Sequence, residues 1–234
     1  VLPLRDNVHV DRIPYATIIL IYLNIIVFCL ELTLFENHLG EIAMRWALVP
    51  ASMFHAGFQR LYGPPNYLSL VTHQFFHGGV LHIVANLWIL WLFGRSVEDR
   101  MGPWRFAAFY LLCGVAAGVA HMAVYPHSKA PCLGASGAIY GLLGAYYLMF
   151  PFAKVRTFIL LGAFPIFFWI PAFVMFGLRV FVDLVSGGMD LVDPETLGGT
   201  AWWAHFGGFG FGLLSHRLFL LGRDWRGPCD YDET

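Results

Sequence analysis

The stretch Leu133-Gly134-Ala135-Ser136-Gly137-Ala138-Ile139-Tyr140-Gly141-Leu142-Leu143-Gly144 decides how the chain is read. It is apolar except for one serine and one tyrosine, and it continues as a candidate membrane span over 135–150. Ser136, Tyr140 and Gly144 recur every four residues, on one side of a helix, with Gly137 and Gly141 beside them. A glycine face lets a second helix approach closely. The segment 201–221 offers a matching face, with His205, Gly208 and Gly212 at i, i+3 and i+7. Packing these faces together would bring the Ser136 hydroxyl to the His205 imidazole, a nucleophile and a base from two helices. Tyr140, one turn below, would lie against that imidazole. Taken alone, a serine at a helix start is most often an N-cap, and glycines alone fit plain packing.

Composition sets the solvent. Of 234 residues, 58% are hydrophobic, 17% aromatic and 12% charged, with a net charge of −1. Mean hydropathy is +0.64. A soluble domain is about 25% charged. The values exclude a disordered chain and a nucleic-acid binder with a basic footprint, and they indicate a polytopic membrane protein. Cys29, Cys113, Cys132 and Cys229 form no CxxC pair and no disulfide framework. No signal-peptide pattern precedes the first apolar run, so that run is read as a retained span.

A span needs about 20 mostly apolar residues. Tyr15–Thr33, 106–124 and 157–182 are clear candidates, the last with Pro165 and Pro171 expected to kink it. Three more, 80–93, 135–150 and 201–221, are shorter or more polar. Together they predict an all-α bundle of six transmembrane helices over 1–222, with a short, loose tail over 223–234. Ten Lys and Arg residues fall on the side of the termini and four on the other. That bias puts both termini in the cytoplasm. The long first loop, about 35–72, carries Trp46, Phe54, Phe58, Tyr62 and Tyr67 among few charges and is expected to lie in the interface. Asp183, Asp190, Asp193 and Glu195 are expected in the last external loop.

Under this topology the second, fourth and sixth spans run in the same direction, and each carries its polar residues near its start. His82 and Asn86 stand at i and i+4 on the second. Polar groups at membrane depth are costly and default to a functional reading. His82 and Asn86 both offer donors, which together with backbone N–H groups near Ser136 suit a developing oxyanion. His73, His77 and His82 raise the question of a metal site, since His73 and His77 also stand at i and i+4, but no HExxH is present and no Cys, Asp or Glu lies in that stretch to complete a set. No metal is therefore expected. His121 and His216 are read as packed side chains.

These residues resemble the rhomboid family of intramembrane serine proteases. Gly134-Ala135-Ser136-Gly137 matches its GxSG motif, Ala204-His205-Phe206-Gly207-Gly208 with Gly212 its AHxxG…G helix, His82 to Asn86 its HxxxN element, and Glu98-Asp99-Arg100-Met101-Gly102 its ExRxG element. The first loop departs from the Trp-Arg pair of some members, with the order Arg45-Trp46 and a separate Arg60.

The resemblance implies a Ser136–His205 dyad without an aspartate, Tyr140 stacked under His205, and oxyanion donors at His82 and Asn86. It gives Glu98 and Arg100 structural roles and makes Gly134, Gly137, Gly141, Gly208 and Gly212 packing positions. It implies an endopeptidase that cuts single-span membrane proteins near the outer face, within lipid and without a cofactor. The compact core resembles bacterial members, which implies a bacterial inner membrane. Phe164, Phe167, Phe168 and Trp169, with the loop 183–200, are expected to form a gate and cap; the same rings also fit simple lipid contact. The rival readings are a catalytically inactive rhomboid-like binding or quality-control protein, and a transporter. The first usually lacks the serine or histidine, and the second favours an inverted repeat that the sequence does not show.

Overall fold

The computed structural model describes residues 2–33, 39–162, 164–192, 201–223 and 231. A short strand β1 (Leu2–Asp6) leads into helix α1 (Tyr15–Thr33). Four short helices follow: α2 (Leu39–Trp46), α3 (Pro50–Phe54), α4 (Ala56–Tyr62) and α5 (Ser69–Thr72), the last running into a 3-10 turn at His73–Phe75. Then come α6 (Val80–Met101), α7 (Pro103–Val124), α8 (Ser136–Met149), strands β2 (Lys154–Leu161) and β3 (Phe164–Pro171), α9 (Ala172–Val192) and α10 (Trp202–Phe219). Among the described residues four helices, α1, α6, α7 and α9, are long and apolar enough to cross a membrane, which fits a multi-pass membrane protein.

Helix α8 is the axis of the bundle. From Gly137 to Tyr146 every side chain is buried, whereas α1 exposes Tyr15, Ile19, Tyr22 and Ile26 on a face suited to lipid. Glycine sets the packing around α8. A Cβ added at Gly208 would fall on the Gly137 carbonyl oxygen, and one at Gly212 on the Gly141 carbonyl oxygen. On the other side, a Cβ at Gly137 would strike Ala117 and one at Gly141 would strike Cys113, both on α7. The pairings advance together along both chains, so α8 and α10 run parallel. Only hydrogens at these positions allow backbone to meet backbone.

Polar contacts seal the two ends. Glu98 accepts the N–H groups of Ala16 and Thr17 at 2.8 and 2.7 Å and the Thr17 hydroxyl at 2.7 Å, so a carboxylate caps the positive end of α1. At the same end, buried Asp6 accepts from Arg95, Ser96 and Tyr146 at 2.8–2.9 Å and ties β1 to α6 and α8. At the opposite end the first loop packs through Leu48, Val49 and Phe58 while exposing Phe54, Tyr62 and Tyr67. His73 and His77 lie beneath it, both buried. The His73 Nδ1–H donates to the Ser69 carbonyl at 2.8 Å, and the His73 carbonyl accepts the Gly134 N–H at 2.9 Å.

Two expectations are corrected. The fold is mostly helical but not all-α, because β1, β2 and β3 form an antiparallel sheet in that order. The expected span 157–182 is two elements, a β2–β3 hairpin and the start of α9. Its apolar run alternates in burial with a period of two at Val155 to Thr157, is rich in β-branched residues, and turns at Gly162 with φ +63°. Pro165 and Pro171, expected to kink a helix, instead sit on the edge strand, where a missing N–H costs nothing. In the tail, Tyr231 bridges to Val8; 224–230 and 232–234 lie outside the described residues.

Two predictions follow from this packing. Gly208→Ala should destabilise by at least about 2 kcal/mol, since backbone cannot yield as a side chain can. Gly210→Ala, with open space around it, should stay within about 1 kcal/mol of the parent on the stabilising side. Thermal unfolding in detergent checks both, and similar losses for the two would refute the packing argument. The second concerns pH. Burial pushes both His73 and His77 down to about 4, with the His82 charge adding to the effect at His77. The unfolded chain therefore takes up protons first as pH falls, so stability should decline from about pH 6.5 toward about pH 4. His73→Gln should make that decline shallower.

Candidate active site

Ser136 is the first residue of α8 and His205 lies one turn into α10. Because the two helices are parallel and in glycine contact, both side chains emerge at the same end. The His205 Nε2 stands 3.0 Å from the Ser136 Oγ, a hydrogen-bond distance at which the serine O–H donates to a neutral imidazole. Tyr140 stacks on His205 with ring centroids 4.0 Å apart and planes within 6°. Trp202 meets the same imidazole edge-on at 6.2 Å. His205 is buried, whereas Ser136 and His82 are partly exposed, so the nucleophile is reachable and its base is shielded.

Gly134, two residues before the serine, has φ +118°, a conformation open to glycine. A Cβ there would lie 2.8 Å from His82 Cε1, 2.9 Å from its Nε2 and 3.7 Å from Asn86 Nδ2. Helix α6 therefore presses two nitrogen-bearing side chains against the turn that carries Ser136. Among the described residues, the buried Asn86 Nδ2 has no hydrogen-bond partner. A buried donor left open costs free energy unless something accepts from it. The arrangement can take up an oxygen that develops negative charge beside Ser136.

A further group stands here that the sequence reading did not assign. Asp183 lies on α9, not in an external loop, and its Oδ2 is 2.9 Å from His205 Nδ1. Tyr140 donates its hydroxyl to the same oxygen. Arg179, one turn earlier on α9, donates from Nε to the Tyr140 oxygen at 2.6 Å and places Nη2 3.2 Å from Asp183 Oδ1. The resemblance implies a serine and histidine without an acid, but the imidazole of this chain has a carboxylate on its second nitrogen. The available signal was an Arg and an Asp four apart within an apolar run, a pair that lipid tolerates only when it is answered.

The remaining candidates fall elsewhere. Glu98 is at the opposite end, capping α1, and the Arg100 guanidinium lies 5.8 Å over the Phe150 ring near that end. Of the expected gate residues, Phe164, Phe167, Phe168 and Trp169 all lie on β3 and not on a helix, paired to β2 in a sheet whose first strand meets α6 at Arg95 through Asp6 and at Trp88, whose Nε1–H donates to the Pro3 carbonyl at 2.7 Å. Of the expected cap, 183–192 is helical, and Asp193 and Glu195 lie outside the described residues. Asp190 accepts from the Tyr125 hydroxyl at 2.6 Å. Among the described residues no three His, Cys, Asp or Glu side chains gather within reach of one metal ion. His121 is buried, and His216 donates from Nδ1 to the Leu213 carbonyl at 2.8 Å.

Comparison with known proteins bears on the same elements. The model of the Rhomboid domain matches residues 64–221, more than half of the chain. The chain is 40% identical over 76 residues to Rhomboid protease GluP of Bacillus subtilis, 32% of this chain and 14% of that protein. It is 32% identical over 97 residues to Rhomboid protein 1, mitochondrial, of Saccharomyces cerevisiae, 39% of this chain and 28% of the relative. It is 33% identical over 105 residues to Rhomboid-like protein 11, chloroplastic, of Arabidopsis thaliana, 44% and 37%. The chain thus spans well under half the length of each of these relatives. The match extends from the first loop to the end of α10 and includes every helix that brings a side chain to Ser136, and on that basis the chain belongs to the rhomboid family.

Proposed function

We propose that the protein is an intramembrane serine endopeptidase that hydrolyses peptide bonds in or beside the transmembrane segments of single-span proteins. The observation that carries this reading is the 3.0 Å approach of His205 Nε2 to Ser136 Oγ. Family membership supports it, as does a relative that bears the name protease.

In the proposed reaction Ser136 attacks the scissile carbonyl carbon while His205 Nε2 takes the hydroxyl proton. The carbonyl π electrons move onto its oxygen, which then accepts hydrogen bonds from Asn86 Nδ2, His82 and the Ser136 backbone N–H. The intermediate collapses by breaking the C–N bond as the imidazolium returns its proton to the leaving amine. Water, deprotonated by the same imidazole, then releases the acyl group. A substrate helix hides its carbonyls in internal hydrogen bonds, so the segment cut must unwind; small or helix-breaking residues near the membrane boundary would suit it.

We place the Ser136 end at the outer face of a bacterial inner membrane and the termini in the cytoplasm. In this reading α8 and α10 join the four longer helices as spans five and six of the count. The burial of α8 supports this, because a helix wrapped in protein can be shorter and more polar than one facing lipid, and α10 lies against α8 along its glycine face. The clustering of Arg5, Arg95 and Arg105 at the Asp6 end supports the orientation.

A fluorophosphonate probe tests the reading. The detergent-solubilised protein should label, and Ser136→Ala should abolish labelling while leaving thermal unfolding unchanged. Asn86→Ala should lower the rate of cleavage of a transmembrane substrate about 10²–10³-fold, the usual cost of one oxyanion donor. Folded protein that neither labels nor cleaves would overturn the assignment.

A further inference from the structure

We propose that Asp183 is the positioning residue of a Ser136–His205–Asp183 relay, in which helix α9 supplies the carboxylate that orients the catalytic imidazole. This deepens the serine-peptidase reading and rests on it.

The geometry supports it at three points. First, His205 has two ring nitrogens with opposite duties. If Nε2 is to accept the serine proton, the neutral ring must carry its hydrogen on Nδ1, and Asp183 Oδ2 stands 2.9 Å from that atom. A carboxylate only accepts, so it selects the tautomer that leaves Nε2 free. Second, the Asp183 side chain is fully buried. A buried carboxylate is expensive unless it is answered, and here Oδ2 takes both His205 and the Tyr140 hydroxyl while the Arg179 charge stands 3.2 Å from Oδ1. Third, the ring plane is fixed independently by the stacked Tyr140, whose hydroxyl is itself held by Arg179. Stack and carboxylate restrain the same imidazole from its face and from its edge.

A purely structural ion pair between Arg179 and Asp183 explains less. Arg179 is half exposed, and its Nη2 stands 3.2 Å from Asp183 Oδ1, which makes no aligned hydrogen bond among the described residues. The well-formed contacts are all on the oxygen that faces the imidazole. In the relay the serine proton moves to Nε2, the Nδ1–H stays bonded to Asp183, and the carboxylate remains ionised opposite the imidazolium. When the leaving amine takes the proton from Nε2, the ring returns to its starting tautomer and nothing is consumed.

The test is Asp183→Asn, close in shape but without the charge. The expected result is a fall in kcat of about 10²-fold or more with KM within threefold, because the change affects proton transfer and not substrate binding. Fluorophosphonate labelling should slow in parallel, with thermal unfolding close to wild type. A kcat within threefold of wild type in folded Asp183→Asn, whose labelling still depends on Ser136, would overturn the relay and leave the peptidase reading intact; wild type that never labels would instead overturn the peptidase reading. If Asp183→Asn does not fold, proton NMR of the phosphonylated wild-type protein decides. A far-downfield Nδ1 proton from the imidazolium–carboxylate pair is expected, and its absence from folded, phosphonylated protein would refute the proposal.

Discussion

The site depends on backbone meeting backbone between α8 and α10. Gly208 and Gly212 lie against the carbonyls of Gly137 and Gly141, and that contact fixes both the separation and the register of the two helices. Ser136 and His205 sit at the same end of this seam, so the position of one nearly determines the other. A single methyl group on the seam would move the imidazole by more than a hydrogen bond tolerates. The same contact makes the helices parallel, and α6 enters the site at its own N-terminus as well. Three positive helix ends therefore meet where a carbonyl oxygen would become an oxyanion and where the carboxylate of Asp183 is buried.

Charge is scarce in this chain, and the structure spends it on particular joints. Asp6 links strand to bundle, Glu98 caps α1, Glu31 accepts the His77 N–H at 3.3 Å, and Asp183 holds His205. Each is a buried acid with donors from another element. In an apolar surround such groups have no alternative partner, so a few of them specify how the elements fit together.

Much of the site was legible because it obeys helical spacing. Ser136, Tyr140 and the glycines fall on one stripe, His205, Gly208 and Gly212 on its complement, and His82 and Asn86 one turn apart. Local periodicity is enough to predict which faces meet. The 157–182 run was not legible for a physical reason: hydropathy measures the cost of exposure to water and says nothing about backbone conformation. An apolar hairpin of β-branched and aromatic residues has the same transfer free energy as a helix of equal composition, and only the period-two burial at Val155–Thr157 and the turn at Gly162 distinguish them. The phenylalanines expected at a gate belong to that hairpin.

The misplaced boundary and the missed carboxylate have one cause. If 157–182 were a continuous helix, Asp183 would lie past its end, in a loop. Because the chain first turns back on itself as β2 and β3, α9 begins only at Ala172, whose N–H donates to the Ala153 carbonyl at 2.8 Å at the foot of α8. From there α9 climbs antiparallel to α8, and eleven residues at about 1.5 Å each bring Asp183 up by about 16 Å. Helix α8 covers a similar height between Ser136 and the same foot. The return of β2 and β3 to the foot of α8 thus sets the depth at which α9 brings its carboxylate to the imidazole.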